Sequence, residues 1–376
     1  MIKPFKKILC IRPDNMGDVL MSQPAISALK STFGATITLL TSQVGAAIAE
    51  LLPEIDEVLA MDAAWVSGPQ PDDAERYFQL VAQIKAQQFD VAFIFTVYSQ
   101  NPLPSAMLAY LAGIPDRFAY CRENPYALLT HWIPDPEPHR FIRHQVKRDL
   151  DLVATAGAQS VSHQLRVPID HALLPQVKEK LRKAGANPDL PWTLMHMGAS
   201  EPRRQYPTAG WISAARELTQ HQLIFTGTAA EKSKVEDVCR QTGAVAAAGL
   251  FTLKELILVI EQAALLVTVN TAPMHIAAAT RTPVLALYAM TNPQHTPWTA
   301  LSKVLYFDVP EHQRSQNEIV TMGYAYFPKT GLLQANTCNI VTYANKLLKS
   351  ATSFSSQDYL QLPSLIPNPD AGASRS

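Results

Sequence analysis

The chain has 376 residues, 47% hydrophobic and 17% charged, with 32 Lys plus Arg against 32 Asp plus Glu. That length exceeds one ordinary core and predicts two domains, while zero net charge leaves no global field to attract nucleic acid. Cys10, Cys121, Cys239 and Cys338 lie far apart with no CxxC pair, so buried free thiols in a reducing compartment are expected, and neither disulfides nor zinc.

The N-terminus MIKPFKKILCIRPDN begins like a signal peptide, but its apolar segment runs only from Ile8 to Ile11 before Arg12 interrupts it. A secretory core needs roughly 7 to 15 apolar residues. Strands are expected at ILCIR, TITLLT, EVLAM, VAFIF and RFAY, with helices between them over Gln23 to Phe33, Ala74 to Gln87 and Pro104 to Ala112. Continuous apolar strands separated by helices predict a parallel sheet covered on both faces. The pattern changes between Leu165 and Pro191, through RVPID, a charged helix from Leu173 to Ala184, and GANPDLP.

Alternation then restarts with WTLMHM, a helix over Thr208 to Leu218, QLIFTG, a helix over Ala230 to Gln241, AVAAA, LLVTV and VLALY. The expected division is a domain over 1–170, a second over 171–350, and a Ser/Pro-rich disordered tail over 351–376. The most apolar stretch, LKELILVIEQAALLVTV, carries Lys254, Glu255 and Glu261, which argues against a membrane span. A cytoplasmic protein is expected, either free or peripheral at the cytoplasmic face of the inner membrane.

In open α/β sheets ligands bind beyond the carboxyl ends of the strands, and four loops of that kind carry unusual residues. In the first, IRPDNMGDVL, Gly17 allows close backbone approach or a positive φ, and Asp18 enters the first turn of a helix. Asp18 reads either as a helix cap or as a general base. Asp14, following Pro13, reads as a turn residue and as the second candidate base. The second loop, MHMGASEPRRQYPTAGW, offers Ser200 among small residues, then Arg203 and Arg204, a solvated loop or an anion site. Gly227 in the third loop is weak on its own. In the fourth, Asn270 and Thr271 end a buried strand before a helix of small residues, whose free N–H groups would hold phosphate. His275, one turn in, is either packed or bonded to a phosphate oxygen. No GxGxxG or GxxxxGK[ST] occurs.

Two blocks, R-x-D-N-x-G-D-V-L-x-x-x-P-A over Arg12 to Ala25 and N-T-x-P-M-H-x-A-A-A over Asn270 to Ala279, are the most specific. With the H-x-G-A-S…R-Q-Y-P run and the T-N-P turn at Thr291 to Pro293, the chain resembles glycosyltransferase family 9, the ADP-heptose:lipopolysaccharide heptosyltransferases, from about Ile8 to Trp298. The resemblance implies the GT-B architecture, two Rossmann-like doubly wound α/β domains facing across a cleft, the first binding acceptor and the second donor. It implies Asp18 as catalytic base and Arg204 on the donor diphosphate, arginine standing where the family often has lysine. It implies that the donor phosphates lie at Asn270, Thr271, Ala272, Pro273, Met274 and His275. Asn270 stands where the family usually has aspartate, and Ala272 where it has glycine.

The expected chemistry is an inverting transfer from a nucleoside-diphosphate sugar to a glycan or lipid-linked acceptor. Such a reaction asks for one base and a fixed positive potential for the leaving group. Asp18 serves as the base, with Asp14, Asn15 and Gly17 beside it at the acceptor. Ser200, Arg204, Gly227 and the 270–275 block hold the donor. No cofactor and no metal are expected: the histidines lack ligand spacing. The one D-x-D, Asp149 to Asp151, lies in a helical pattern and reads as solvated surface. HRFIRHQVKR, with Arg140, Arg143, Lys147 and Arg148, is a solvated helix face or a patch for an anionic acceptor or membrane surface. A degenerate, non-catalytic nucleotide-sugar-binding protein is the alternative that the Asn270 and Ala272 departures leave open. An NAD-dependent oxidoreductase fits the two domains but lacks the glycine fingerprint.

Overall fold

The structure is a computed structural model and describes residues 4–66, 74–323, 333–350 and 365–367. The chain divides into two compact units, one of Met1–Gln164 with Ser364–Ser376 and one of Leu165–Pro363. Of the tail expected to be disordered, only Leu365–Pro367 falls among the described residues, where it forms a short strand.

In the first unit β1 (Lys7–Arg12), β2 (Thr36–Thr41), β3 (Glu57–Ala60), β4 (Val91–Ile94), β5 (Asp116–Cys121) and β6 (His131–Pro134) form a parallel sheet in the order β3-β2-β1-β4-β5-β6. Every residue of β1 after Lys7 is buried, as is every residue of β4. A strand covered on both faces must be apolar throughout, which explains why these runs are legible in the sequence. The helices α1 (Met16–Phe33), α2 (Gln43–Ala49), α3 (Glu75–Gln87), α4 (Leu103–Leu111) and α5 (Gln145–Ala154) connect and cover the sheet. Leu9, Ile11, Ile84, Ala92, Ile94 and Ala119 belong to one core cluster of this unit. A further short strand, β7 (Phe141–Arg143), precedes α5 and pairs antiparallel with Leu365–Pro367.

The second unit repeats the plan. Its strands β8 (Trp192–His196), β9 (Gln222–Thr226), β10 (Val245–Ala246), β11 (Leu265–Val269), β12 (Val284–Ala289) and β13 (Ser302–Phe307) lie in the order β10-β9-β8-β11-β12-β13, all parallel. Helices α6 (Leu174–Lys183), α7 (Thr208–Glu217), α8 (Lys232–Thr242), α9 (Leu253–Glu261) and α10 (Ala272–Thr280) follow the same alternation. Met195, Trp211, Phe225, Val267 and Leu285 centre its core. Strands β6, β7 and β13 are absent from the sequence-based expectation. The first and last of these are edge strands with many half-exposed positions, so no continuous apolar run announces them. Among the described residues no helix is long and apolar enough to cross a membrane.

Each sheet reverses its winding at one place, between β1 and β4 in the first unit and between β8 and β11 in the second. Beyond the carboxyl ends of such a pair, flanking loops diverge to opposite faces and leave room for a ligand.

Two expectations need correction here. Cys10, Cys121 and Cys239 are buried, but Cys338 is exposed in the first turn of the C-terminal helix Thr337–Ser350. The basic segment HRFIRHQVKR is not a solvated face at Arg143 and Arg148. Arg143 pairs with Glu137 at 3.0 Å and Asp151 at 3.0 Å and donates to the Tyr120 hydroxyl at 3.1 Å. Arg148 pairs with Asp135 at 2.7 Å and Glu137 at 2.6 Å, and its Nε donates to the Thr96 carbonyl at 3.3 Å. The side chains of Arg148, Asp135 and Glu137 are 2%, 3% and 0% exposed. Removing one member of a buried ion pair strands its partners without water. Arg148→Ala should therefore lower the stability of the first unit by about 3–5 kcal/mol in chemical denaturation, whereas Arg140→Ala, at an exposed position, should leave it unchanged.

Candidate functional site

The turn between β1 and α1 is built around a buried cation. Arg12 ends β1 with no exposed surface. Its Nε lies 3.1 Å from Asp14 Oδ2 and its Nη2 donates to Asp18 Oδ1 at 3.2 Å. Burial alone would make Arg12 easier to deprotonate; Asp14, Asp149 and Asp18 reverse that and raise its pKa. The Asp14 carbonyl accepts from Ser42 Oγ at 2.6 Å, and the same hydroxyl caps α2 by accepting from Gly45 N at 2.9 Å. A Cβ on Gly45 would lie 2.7 Å from that carbonyl, so only glycine lets α2 come this close. The turn is thus fixed from two sides.

Asp14 is buried and accepts from Gln100 Nε2. Its pKa is pushed up to about 6, first by burial and then by Asp18 and Asp149, with Arg12 and Gln100 pulling the other way. Asp18 stands in the first turn of α1, where the helix dipole favours a carboxylate, and its side chain is 18% exposed. Of the two, Asp18 is the carboxylate within reach of solvent and Asp14 is the brace. Asn15 occupies the cap position of α1 but makes no side-chain capping bond. Gly17 is buried inside the first helical turn and is not among the glycines with positive φ, so the positive-φ expectation for it is wrong.

In the second unit three loops leave the adjacent strands β9, β8 and β11. After β8, Gly198 passes so close to Glu231 that a Cβ would sit 2.4 Å from its carboxylate; Gly227, after β9, touches the same group. Glu231 is held there by accepting from Thr228 N at 2.7 Å and Thr228 Oγ1 at 3.0 Å, a capping box. His196, buried at the end of β8, shares a hydrogen bond with Thr226 Oγ1 at 3.0 Å. Ser200 is exposed. Arg203 and Arg204 both pair with Glu201, at 2.5 and 3.0 Å; Arg204 does so through Nη2 alone, and its buried Nε has no hydrogen-bond partner among the described residues.

After β11 the helix α10 begins with no side-chain cap on its N-terminus and with Pro273 in its first turn. Thr271 and Ala272 are half-buried; Pro273, Met274 and His275 are buried. Asn270 is 4% exposed and its Nδ2 donates to Thr291 Oγ1 at 3.2 Å, which ties the end of β11 to the T-N-P turn after β12. In that turn Asn292 Oδ1 accepts from Gln294 N at 2.9 Å. A helix start uncapped by side chains, next to small residues, is suited to an anion.

From residue 77 to residue 321 the chain matches the family model of glycosyltransferase family 9 (heptosyltransferase). The chain belongs to this family. It is similar to lipopolysaccharide heptosyltransferase 2 of Escherichia coli, 24% identical over 307 residues, which cover 77% of this chain and 85% of the relative. The solved structure of a family 9 glycosyl transferase from Veillonella parvula resembles it with a TM-score of 0.73 at 19% identity, over 93% of this chain and 99% of that one. For E. coli ADP-heptose lps heptosyltransferase II the TM-score is 0.68 at 20% identity, over 92% of this chain and 100% of that one. The fold is therefore GT-B, and this family 9 chain is a glycosyltransferase.

The geometry alone sorts the expected site residues into two groups, one in each unit. Asp14, Asn15, Gly17 and Asp18 are brought together in the first unit. Arg143 stands apart from them, at the end of β7, in its own ion pairs. Ser200, Arg204, Gly227 and the 270–275 block gather at adjacent strand ends of the second unit. Asp149 is the main correction: it is no solvated surface but 2% exposed, accepting from Ser22 Oγ at 2.6 Å and Gln145 Nε2 at 2.7 Å. Sequence reasoning also missed Arg12, whose signal was present as a charge closing the apolar run Ile8 to Ile11 with acids two and six positions later. His196, Thr226 and Glu231 gave no comparable signal.

Burial pushes the His196 pKa down to about 4, below its ordinary value near 6.5. Between those values the unfolded chain binds the proton and the folded one does not, so the contribution of His196 is complete above pH 6.5 and is lost as pH falls toward 4. The melting temperature of the second unit should drop across that interval. His196→Gln, which keeps a partner for Thr226, should flatten the drop; a thermal melt series by circular dichroism checks both.

Proposed function

We propose that this glycosyltransferase carries heptose or a related sugar, with inversion, from a nucleoside-diphosphate sugar, ADP-linked, to a lipopolysaccharide-core or other cell-surface glycan acceptor. The observation that carries this reading is the pairing of two switch-point sites. One holds a solvent-reachable carboxylate braced by a buried arginine, and the other an uncapped helix start among small residues, in the unit that also carries Arg204. The similar proteins named above, lipopolysaccharide heptosyltransferases, suggest the sugar and the acceptor class. The cytoplasm, free or peripheral at the inner membrane, is where a donor of this kind would be met.

In this reading Asp18 takes the proton of the acceptor hydroxyl as that oxygen attacks the anomeric carbon. The carbon–oxygen bond to the nucleoside diphosphate breaks on the opposite face. The negative charge left on the diphosphate is met by the N-terminus of α10, by Arg204 and by His275. Thr271, Ala272, Pro273 and Met274 bring the backbone to the phosphates, and Ser200 and Gly227 line the same loops. Asp14, Asn15 and Gly17 shape the acceptor end. Arg143, with its charge balanced by Glu137 and Asp151, offers no spare cation to an anionic acceptor. The scheme uses no metal. The second reading, a nucleotide-sugar binder without turnover, has the Asn270 and Ala272 departures in its favour.

Replacing Asp18 with Asn keeps size and removes the proton acceptor. Transfer from ADP-heptose to lipopolysaccharide lacking heptose should fall by about 10²- to 10⁴-fold, with ADP affinity unchanged; near wild-type transfer would move the base to Asp14. Arg204→Ala should raise donor KM or lower kcat by the equivalent of about 1.5–3 kcal/mol. ADP should protect residues 270–275 from hydrogen exchange, and transfer should survive a chelator. ADP binding without any release of ADP from ADP-heptose would decide for the non-catalytic reading.

A further inference from the structure

The two sheets share one strand order, so β6 and β13 occupy equivalent edges. The edge at β13 is covered by the chain itself. Tyr306 N donates to the Leu333 carbonyl at 2.8 Å, and Ala335 N donates to the Tyr306 carbonyl at 2.7 Å. Leu333 and Ala335 also pack against the core of that unit, just before the helix Thr337–Ser350. In the first unit the stretch before α5 forms β7, which pairs with Leu365–Pro367 and not with β6. Among the described residues no strand or bridge covers the outer side of β6.

The surface beside that open edge is apolar. Met107, Tyr110 and Leu111 share one side of α4, and they and Trp132 of β6 are between 42% and 51% exposed. Trp132 stands opposite Ala119 of β5, on the sheet face that α4 covers, because Ala106, Leu108, Ala109 and Ala119 belong to one core cluster. Trp132 Nε1 is already bonded to the Cys121 carbonyl at 2.8 Å, so the ring offers apolar surface outward. Tyr126, in the helical turn Tyr126–Leu128 between β5 and β6, is 83% exposed and holds a positive φ of 49°. Bulky side chains rarely take that backbone conformation, and such outliers gather where a surface has a task. Arg117 ties the parts together. Its guanidinium lies 5.4 Å from the centre of the Tyr110 ring, its Nε donates to the Leu128 carbonyl at 2.7 Å, and its Nη2 donates to the Ala127 carbonyl at 2.8 Å.

Charge and area together select the occupant. The segments NPLPSAMLAYLAGIP over 101–115 and NPYALLTHWIP over 124–134 hold no Asp, Glu, Lys or Arg. A patch that rests on anionic lipid carries Lys and Arg among its apolar residues, and neither segment supplies them. A two-fold contact sets a surface against itself, so any charge near its centre would meet its like. A surface without charge suits that arrangement. The exposed parts of the five side chains come to roughly 500–600 Å² per copy, the larger part of the ~800 Å² per partner that a stable interface buries. Tyr, Trp and Met are also the residue types enriched at interface cores. We propose that the outer side of α4, the turn Tyr126–Leu128 and β6 form the interface of a two-fold homodimer. A second copy of this chain then covers the sheet edge that the second unit covers with its own residues.

The test is sedimentation of the full chain over a range of concentrations. The wild-type protein should pass from monomer to dimer as concentration rises. Leu111→Glu introduces a carboxylate that faces its own copy, and the change counts twice across the two-fold axis. The dimer dissociation constant should therefore rise by about 100-fold or more. Tyr126→Asn removes the ring yet suits the left-handed backbone, so the fold is kept. Its constant should rise by at least about tenfold, and it decides the matter should Leu111→Glu fail to fold. Val161→Glu, at an exposed position outside the patch, should dimerise as the wild type does. Amide exchange over 103–111 and 126–134 should quicken when the dimer is diluted to monomer. A wild-type chain that stays monomeric at every concentration overturns the proposal. So does a dimer of wild-type strength in folded Leu111→Glu or in Tyr126→Asn, a dimer lost equally in Val161→Glu, or exchange in these segments that ignores dilution. A monomer whose binding to vesicles of phosphatidylglycerol and phosphatidylethanolamine is lost in Leu111→Glu overturns it in favour of a membrane.

Discussion

The compensation of one buried charge organises the first unit. Arg12 closes a strand that is buried and apolar from Ile8 to Ile11, and a guanidinium taken out of water is stable only when carboxylates surround it. Asp14 and Asp18 answer from the next few residues of the chain, and Asp149 answers from α5, over a hundred residues later. Meeting that need fixes the β1–α1 turn, the first turns of α1 and the approach of α5 together. What this arrangement leaves open to solvent is part of the Asp18 side chain.

The second unit reaches a comparable result by different means. Its strand order repeats that of the first, so its loops also open at a switch point. No buried arginine closes β8, which ends instead in His196, kept neutral by burial. Close backbone passage at Gly198 and Gly227 lets Glu231 sit beneath the loops, and Asn270 joins the ends of β11 and the turn after β12 through Thr291. That hydroxyl also stands 3.3 Å from the Ala289 carbonyl. An amide donor at residue 270 leaves the hydroxyl proton free for that carbonyl, whereas a carboxylate would compete for it. Asparagine is therefore consistent with its surroundings. One plan thus offers a partly exposed carboxylate in one unit and a helix start without a side-chain cap in the other.

α5 shows how a local pattern misleads. Arg143, Arg148 and Asp149 read as a charged surface helix because charge is a good marker of solvent. In the fold Asp135, Glu137 and Asp151 gather around the arginines and Ser22 and Gln145 around Asp149, so the helix is buried on a polar face. The compensating groups come from a preceding loop, from a distant helix and from α5 itself. A periodicity of apolar residues carries no record of such pairing.

The sequence by itself determined the class of the molecule. Strands covered on both faces have to be apolar throughout, and connecting helices have to be amphipathic, so the alternation of two αβ units and most of their strands stood in the order of residues. The loops that end β1, β8, β9 and β11 were legible for the same reason: glycine, caps and charges at the end of an apolar run have few structural explanations. What tertiary structure alone decided is which charges are used up within the fold and which remain for a ligand. Asp14 and Asp18 are neighbours in the chain, but only the placement of Arg12, Gln100 and Ser42 makes one a brace and leaves the other reachable. Electrostatic compensation acts through space with no regard for sequence distance, so Asp149 could not be assigned until α5 was packed beside α1.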